Sequence, residues 1–395
     1  MADWVVYVAM PFVAAALGYV TKRIAIEMMF RPLRFAGIPG TFLGWQGVVP
    51  RNAERMIRIA AEVLTTRLVD AREVFARVDP DRLAEALEPA LLAEVDAITR
   101  SVLARHHPGL WEALPVLAQD VIVKQVQAGS PNAVRRIVEA LQDDIDQVLD
   151  IKELAVGTLR RDPALMVRLI KDISRPEMAF IARSGIYFGF ALGLVQTLVW
   201  ALTKEPLVLP LFGMAIGWFT DWLAIKLVFF PRERRFGFQA VFQKRRDEVA
   251  EQYGHLVATR VMTVPNILES VLNGPRADRL EALVERVVWE TVDRQAELAR
   301  PLVASAIGER RLREMKREAA RQAIERLPAT IRHAEDYLTR TLDVGNTIAT
   351  KMRDLTRVEY EELLRPAFRR DEWKLIAVGA VVGFVVGELQ VLLLV

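Results

Sequence analysis

The chain has 395 residues, 52% hydrophobic and 26% charged, with 53 basic against 50 acidic side chains and a formal net charge of +3. A mean hydropathy of +0.18 beside so many charges means strongly apolar segments set between polar ones. So small a basic excess excludes a nucleic-acid footprint, and the absence of cysteine excludes disulfides, thiolate catalysis and cysteine-ligated metals.

A membrane span needs about 20 mainly apolar residues. The first candidate is 4–21, closed by Lys22 and Arg23. Ala14 and Ala16 resemble a signal-peptide cleavage site, but Asp3 puts the wrong charge in the n-region, so a retained helix is expected. The stretch Phe35–Pro50, FAGIPGTFLGWQGVVP, is turn-rich. Its Phe42 and Trp45 suit the headgroup level; packing beneath a helical domain is the alternative. Residues 52–180 lack strand-like alternation. Met56, Ile59, Ala60, Val63, Leu64 and Leu68 keep the spacing of an amphipathic helix, and several prolines divide the stretch into helices. The second span, 184–202, carries Gly185, Gly189 and Gly193 on one face, which lets another backbone approach closely.

The third span, 207–222, has the shortest uncharged core, and a re-entrant segment is its alternative. Phe238 and Phe242 follow as candidate interfacial anchors. A second helical domain, 244–372, includes GERRLREMKREAARQAIERL (Gly308–Leu327), whose thin apolar stripe and dense mixed charges read as a solvated helix, or else as a subunit contact or a helix lying on anionic lipid. The fourth span, 375–395, repeats the glycine series at Gly379, Gly383 and Gly387 and holds Glu388 and Gln390. Glu388 either snorkels outward or joins Gln390 and Gln196 in an intramembrane polar path.

The two halves echo one another. GYVTKRIAIEMMFRP (Gly18–Pro32) matches GWFTDWLAIKLVFFP (Gly217–Pro231), Asp81-Arg82-Leu83 matches Asp278-Arg279-Leu280, and Leu149-Asp150-Ile151 matches Leu342-Asp343-Val344. The spacing predicts two copies of one unit, 1–201 and 202–395, each running span, basic loop, helical domain, span. Both copies point the same way, as parallel repeats do. The frame, its second copy and the loop Gly44–Val49 resemble the YheB/YjiN-like family of bacterial membrane proteins, a domain of unknown function. The resemblance covers nearly the full length and implies architecture without an activity. The chain departs from that family at Lys22 and Arg23, where an asparagine and an apolar residue are usual.

Between copies the charges swap: Lys22 stands where the second copy has Asp221, and Glu27 where it has Lys226. Equivalent positions meet near the axis of a pseudo-twofold pair, so Lys22 is expected to face Asp221 and Glu27 to face Lys226. Such charges would specify which helices pair; independent snorkelling is the alternative.

Four histidines, none at i, i+4 spacing, and the absence of Walker, G-x-S-x-G or H-E-x-x-H motifs leave no catalytic constellation. His333 with Asp336 reads as a surface pair, with metal binding the lesser alternative. Neither a cofactor nor a metal is expected. The sequence therefore predicts an all-α integral membrane protein of four transmembrane helices and two helical extramembrane domains. Basic residues near the span ends predict both termini outside and the helical domains cytoplasmic, and the family resemblance implies that the membrane is a bacterial plasma (inner) membrane. The expected function is a non-enzymatic, membrane-anchored scaffold that self-associates in the bilayer. The alternative is a transporter or lipid-handling protein with a path at the repeat interface and a bound lipid.

Overall fold

The computed structural model describes residues 3–38, 44–229, 244–295, 308–356, 358–360 and 372–394. Among the described residues the protein is all-α apart from a two-residue antiparallel ladder, β1 (Ala36–Gly37) with β2 (Gly44–Trp45). In chain order the helices are α1 (Asp3–Phe30), α2 (Val48–Arg51), α3 (Ala53–Val63), α4 (Ala71–Phe75), α5 (Pro80–His106), α6 (Pro108–Ala113), α7 (Val116–Val148), α8 (Ile151–Arg161), α9 (Pro163–Ile173), α10 (Arg175–Thr203) and α11 (Val208–Phe229). There follow α12 (Arg246–Leu256), α13 (Val264–Asn273), α14 (Ala277–Gln295), α15 (Glu309–Ile331), α16 (Glu335–Leu342), α17 (Val344–Asp354) and α18 (Glu372–Leu394).

The chain divides into two compact units. One comprises 1–63, 159–253 and 349–395; the other comprises 64–158 and 254–348. Each unit therefore draws on both halves of the sequence.

In the first unit, α1 packs along α10 and α11 along α18, with lesser contacts of α10 with α11 and of α1 with α18. Two of these helices, Tyr7–Phe30 and Arg175–Thr203, are long and apolar enough to cross a membrane; Val208–Leu223 and Ile376–Leu392 are shorter apolar stretches. Glycines set the closeness of both pairs. The Cα of Gly18 faces the carbonyl of Gly185, and Gly189 and Gly193 lie against Ala14 and Pro11. In the other pair Gly217 meets Gly379, Gly213 meets Gly383, and Gly387 meets Pro210. A methyl group at any of these positions would be driven into backbone or a packed side chain of the facing helix. The outward faces carry Phe12, Phe190, Leu198, Trp218, Val381 and Leu392, all exposed. Apolar surface of that extent marks contact with lipid or with other protein.

In the second unit, α5, α7, α14 and α15 form a closed ring of contacts: α5 on α7, α7 on α14, α14 on α15 and α15 on α5. The starts of the helices are capped locally. The Asp79 carboxylate accepts from the Asp81 and Arg82 amides at 2.9 and 3.3 Å, with Pro80 at the first helical position. Both features satisfy the orphan donors of a helix N-terminus. Among the described residues two single π-helical turns occur, at Leu64–Leu68 and Val257–Val261. Each closes with an amide five residues on, Val69 to the Leu64 carbonyl and Met262 to the Val257 carbonyl, both at 2.8 Å. Arginines reach across this unit in both directions. Arg77 donates to the Leu342 carbonyl at 3.1 Å and to Thr347 Oγ1 at 2.7 Å. Arg276 donates to the Asp146 carbonyl and to Asp150 Oδ2, the latter at 3.2 Å.

The charged helix α15 is engaged within the chain. Lys316 meets Asp293 at 2.5 Å, Glu318 meets Arg105 at 2.8 Å, and Arg326 meets Glu94 at 2.6 Å. Its solvent face carries the one-turn pairs Arg310–Glu314 and Arg321–Glu325. Inside the ring lies a cavity of about 290 Å³. Its walls are aliphatic side chains that leave part of their surface without packing partners, contacts that an apolar guest would restore.

The glycine contacts make an opposed pair of expectations. Gly217→Ala forces a methyl into the Gly379 carbonyl and should lower stability by about 1–3 kcal/mol. Gly157, inside α8, has open space where its Cβ would go, so Gly157→Ala should raise stability by about 0.5–1 kcal/mol. Thermal unfolding of the two purified variants reads both; equal effects would show that the α11–α18 contact is looser than described.

Candidate functional site

Charge inside an apolar bundle is the feature most in need of a physical reason. Lys22 lies in the second half of α1 and Asp221 in that of α11. Their Nζ and Oδ1 atoms are 2.7 Å apart, with side-chain exposures of 0% and 7%. Each fits because a glycine faces it: the Lys22 stem runs along Gly185, and the Asp221 carboxylate presses on Gly379. The adjacent threonines are satisfied within their own helices, Thr21 by the Leu17 carbonyl at 2.9 Å and Thr220 by the Gly217 carbonyl at 3.4 Å. Asp221 Oδ2 has no hydrogen-bond partner. A buried pair of this kind roughly breaks even against its desolvation cost, but losing one partner strands the other.

The other sequence-selected residues fall as follows. Glu27 engages Arg31 at 3.0 Å and Lys171 at 3.5 Å. Lys226 is exposed, its ammonium 5.6 Å from the centre of the Trp222 ring. Gln196 and Gln390 are both buried and meet side chain to side chain at 3.2 Å. Glu388 lies on the exposed face of α18, turned away from that glutamine pair. The glycine series of α10 meets α1, and that of α18 meets α11. Trp45 is half-buried and donates from Nε1 to the Met28 carbonyl at 3.1 Å; Phe42, Phe238 and Phe242 lie outside the described residues. His333 Nδ1 is 3.3 Å from the Thr330 carbonyl. Among the described residues, no three His, Asp or Glu side chains gather closely enough to hold a metal ion.

A second polar cluster had no signal in the sequence. Glu177, in the first turn of α10, is fully buried. Arg245 donates to its Oε1 at 2.6 Å and forks onto both oxygens of Glu248 at 2.6 and 2.8 Å. The Tyr360 ring, also fully buried, lies 5.5 Å from the Arg246 guanidinium, and Arg246 donates onward to the Arg353 carbonyl at 2.8 Å. Hydrogen bonds from Arg245 hold the Glu248 carboxyl below its ordinary range. Burial, reinforced by the Glu177 charge, pushes the Tyr360 phenol well above its ordinary range. The Tyr360 hydroxyl and Glu177 Oε2 have no hydrogen-bond partners. These residues come from three distant stretches, so no local spacing announces them.

Apolar helices closed on glycines around a neutralised charge pair are the build of a membrane protein, and the relatives carry that description. The chain is similar to a UPF0754 membrane protein of Synechococcus sp. (strain JA-3-3Ab), 23% identical over the whole of both chains. A UPF0754 membrane protein of Synechococcus sp. (strain JA-2-3B'a(2-13)) is 31% identical over 143 residues, 32% of this chain and 34% of the relative. UPF0754 membrane protein alr5253 of Nostoc sp. is 35% identical over 69 residues, 17% of this chain and 16% of the relative. The matched stretch thus spans about a third of the former relative and a sixth of the latter. The relatives belong to an uncharacterised membrane-protein family. No protein-family model and no solved structure matches the chain.

Two measurements bear on these clusters. Lys22→Met or Asp221→Asn alone should each cost about 3–5 kcal/mol, because each strands a buried charge, while the double variant should recover most of that loss. Thermal unfolding in detergent closes the cycle, and simple additivity would show that the two groups do not depend on each other. For Tyr360, the unfolded chain releases the phenolic proton near pH 10 and the folded chain only well above it. Stability should therefore be level below pH ~10 and decline above it, because the unfolded state then binds fewer protons. Tyr360→Phe should shrink that alkaline decline while leaving stability at pH 7 little changed.

Proposed function

We propose that the protein is a non-enzymatic membrane scaffold: four transmembrane helices form a fixed anchor, and the helical unit is what the anchor presents. The observation that carries this reading is the closure of the apolar bundle. Its helices touch backbone to backbone at glycines, its buried charges are neutralised in the Lys22–Asp221 pair, and Gln196 is hydrogen-bonded to Gln390 while Glu388 faces outward. A translocation path needs polar groups lining an accessible space; here they are spent on each other.

Two helices are long and apolar enough to span, and the apolar stretches of the other two, Val208–Leu223 and Ile376–Leu392, are shorter; in this reading these cross as well, with their polar ends at the headgroups. The shorter two have 22 and 23 residues, about 33–35 Å at 1.5 Å per residue, against a hydrocarbon core of about 30 Å. The proposal includes the kinship with the YheB/YjiN-like family and the tandem origin of the two copies. In its favour, the two π-helical turns begin at Leu64 and Val257, within the offset of the sequence repeat, and each is followed by a side-chain cap, Asp70 and Thr263. The orientation, with both termini outside and the helical part cytoplasmic in a bacterial inner membrane, rests on the basic residues flanking the spans. Self-association is what a scaffold requires in order to hold several helical units at one place on the membrane.

A lipid-handling role draws on a separate feature, the cavity of the helical unit. Native mass spectrometry of the protein released gently from its membrane tests the scaffold reading. The expected spectrum is one discrete oligomer, unchanged by Glu388→Leu or Gln196→Leu. A monomer alone, or a solute flux into proteoliposomes that Gln196→Leu abolishes, would overturn it.

A further inference from the structure

We propose that the ring of α5, α7, α14 and α15 encloses a binding site for one hydrocarbon acyl chain. The inference does not depend on the scaffold reading; it stands on the cavity.

The lining is almost wholly apolar, with Leu87, Val134, Leu141, Val284 and Leu327 typical of it. The few polar residues in the wall are already occupied. Ser130 donates to the Gln127 carbonyl at 2.7 Å, Thr330 to the Arg326 carbonyl at 3.1 Å, and Arg326 to Glu94 at 2.6 Å. A water molecule needs two to four polar partners to settle in a cavity, and only four side chains of this wall are polar, each already engaged. The same lining favours an apolar guest over a polar one.

Size and shape narrow the choice. The volume, about 290 Å³, is about twice that of an apolar cavity known to hold benzene and stands at the lower edge of ligand pockets. The wall follows α5 from Leu83 to Ile98 and α7 from Ser130 to Ile145. Fifteen residue-to-residue steps of helix on each side correspond to about 22 Å at 1.5 Å per residue. A modest volume drawn out over that length suits an extended chain and not a compact ring system.

A polar end is provided beside it. A second cavity of about 210 Å³ shares Val264, Leu268 and Ile331 with the first and is edged by Glu269, Asn273, Arg332 and Glu335. An amphiphile would lay its chain between the helices and leave its head among these groups, where Arg332 is the cation and Asn273 a neutral donor beside two carboxylates. The chain has a ready source, since this protein carries helices long and apolar enough to cross a bilayer. A membrane phospholipid and a free fatty acid present the same acyl chemistry.

The test uses the full-length protein in detergent, with a pyrene-labelled palmitate as probe. Saturable binding of one probe per chain is expected. Leu87→Trp and Val134→Trp, which fill the cavity, should each weaken binding at least tenfold while the protein still unfolds cooperatively near the original temperature. Displacement by unlabelled palmitate but not by phosphatidylglycerol vesicles would identify a free fatty acid as the ligand; displacement by the vesicles would identify a phospholipid chain. Where a variant fails to fold, extraction of the unaltered protein and mass analysis of its co-purifying acyl species decides, with one chain per protein expected. Unsaturable binding, binding that both folded variants keep at full strength, or an extract without stoichiometric acyl species would overturn the proposal.

Discussion

The close approach of helices at glycine is the constraint on which the apolar unit depends. Lys22 and Asp221 can meet at 2.7 Å only because Gly185 and Gly379 leave their side chains room. A side chain at either glycine would hold the helices apart and leave a charge without its partner. The pairing then acts in the other direction. Two buried opposite charges reject every register that separates them, so glycine supplies the proximity and charge supplies the selectivity. In an interior that offers no aqueous partner, the net energy of such a pair is modest, and breaking it by removing one partner is costly.

Much of this was legible in the sequence. Glycines four residues apart announce a helix face made for backbone contact. Lys22 and Asp221 stand at corresponding places in two similar stretches of sequence, which marks them as a candidate pair, and their charged atoms lie 2.7 Å apart. The periodicity of Met56 to Leu68 announces a helical face that must be buried. None of these signals names the surface opposite. The glycine series of α10 turned out to meet α1, its neighbour through the preceding helical stretch, and the two helical stretches contribute together to one compact unit. An amphipathic stripe states that a face is covered and is silent about what covers it.

The cluster of Glu177, Arg245 and Tyr360 shows the same limit from the polar side. Glu177 in sequence is an ordinary acid in the first turn of a helix, where the macrodipole favours it. Its complete burial follows from packing against segments about 70 and 180 positions further along. Likewise Lys316, one of many charges in α15, is buried against Asp293. It is tertiary placement, more than composition, that separates these residues from their solvated neighbours.

The two units treat unfilled space in opposite ways, and this bears on what each can do. Where the apolar helices meet, glycine removes even the volume of a methyl group, and polar atoms are largely spent on each other. In the helical unit, large aliphatic side chains from four long helices line a space that they do not fill. Dense packing resists rearrangement because small displacements forfeit many contacts at once. A lined but unfilled space has the contrary property: its energetic deficit is recovered when an apolar guest supplies the missing contacts. The glycine-packed helices therefore have many contacts to lose on moving, and the part with space to spare has contacts to gain from an apolar guest.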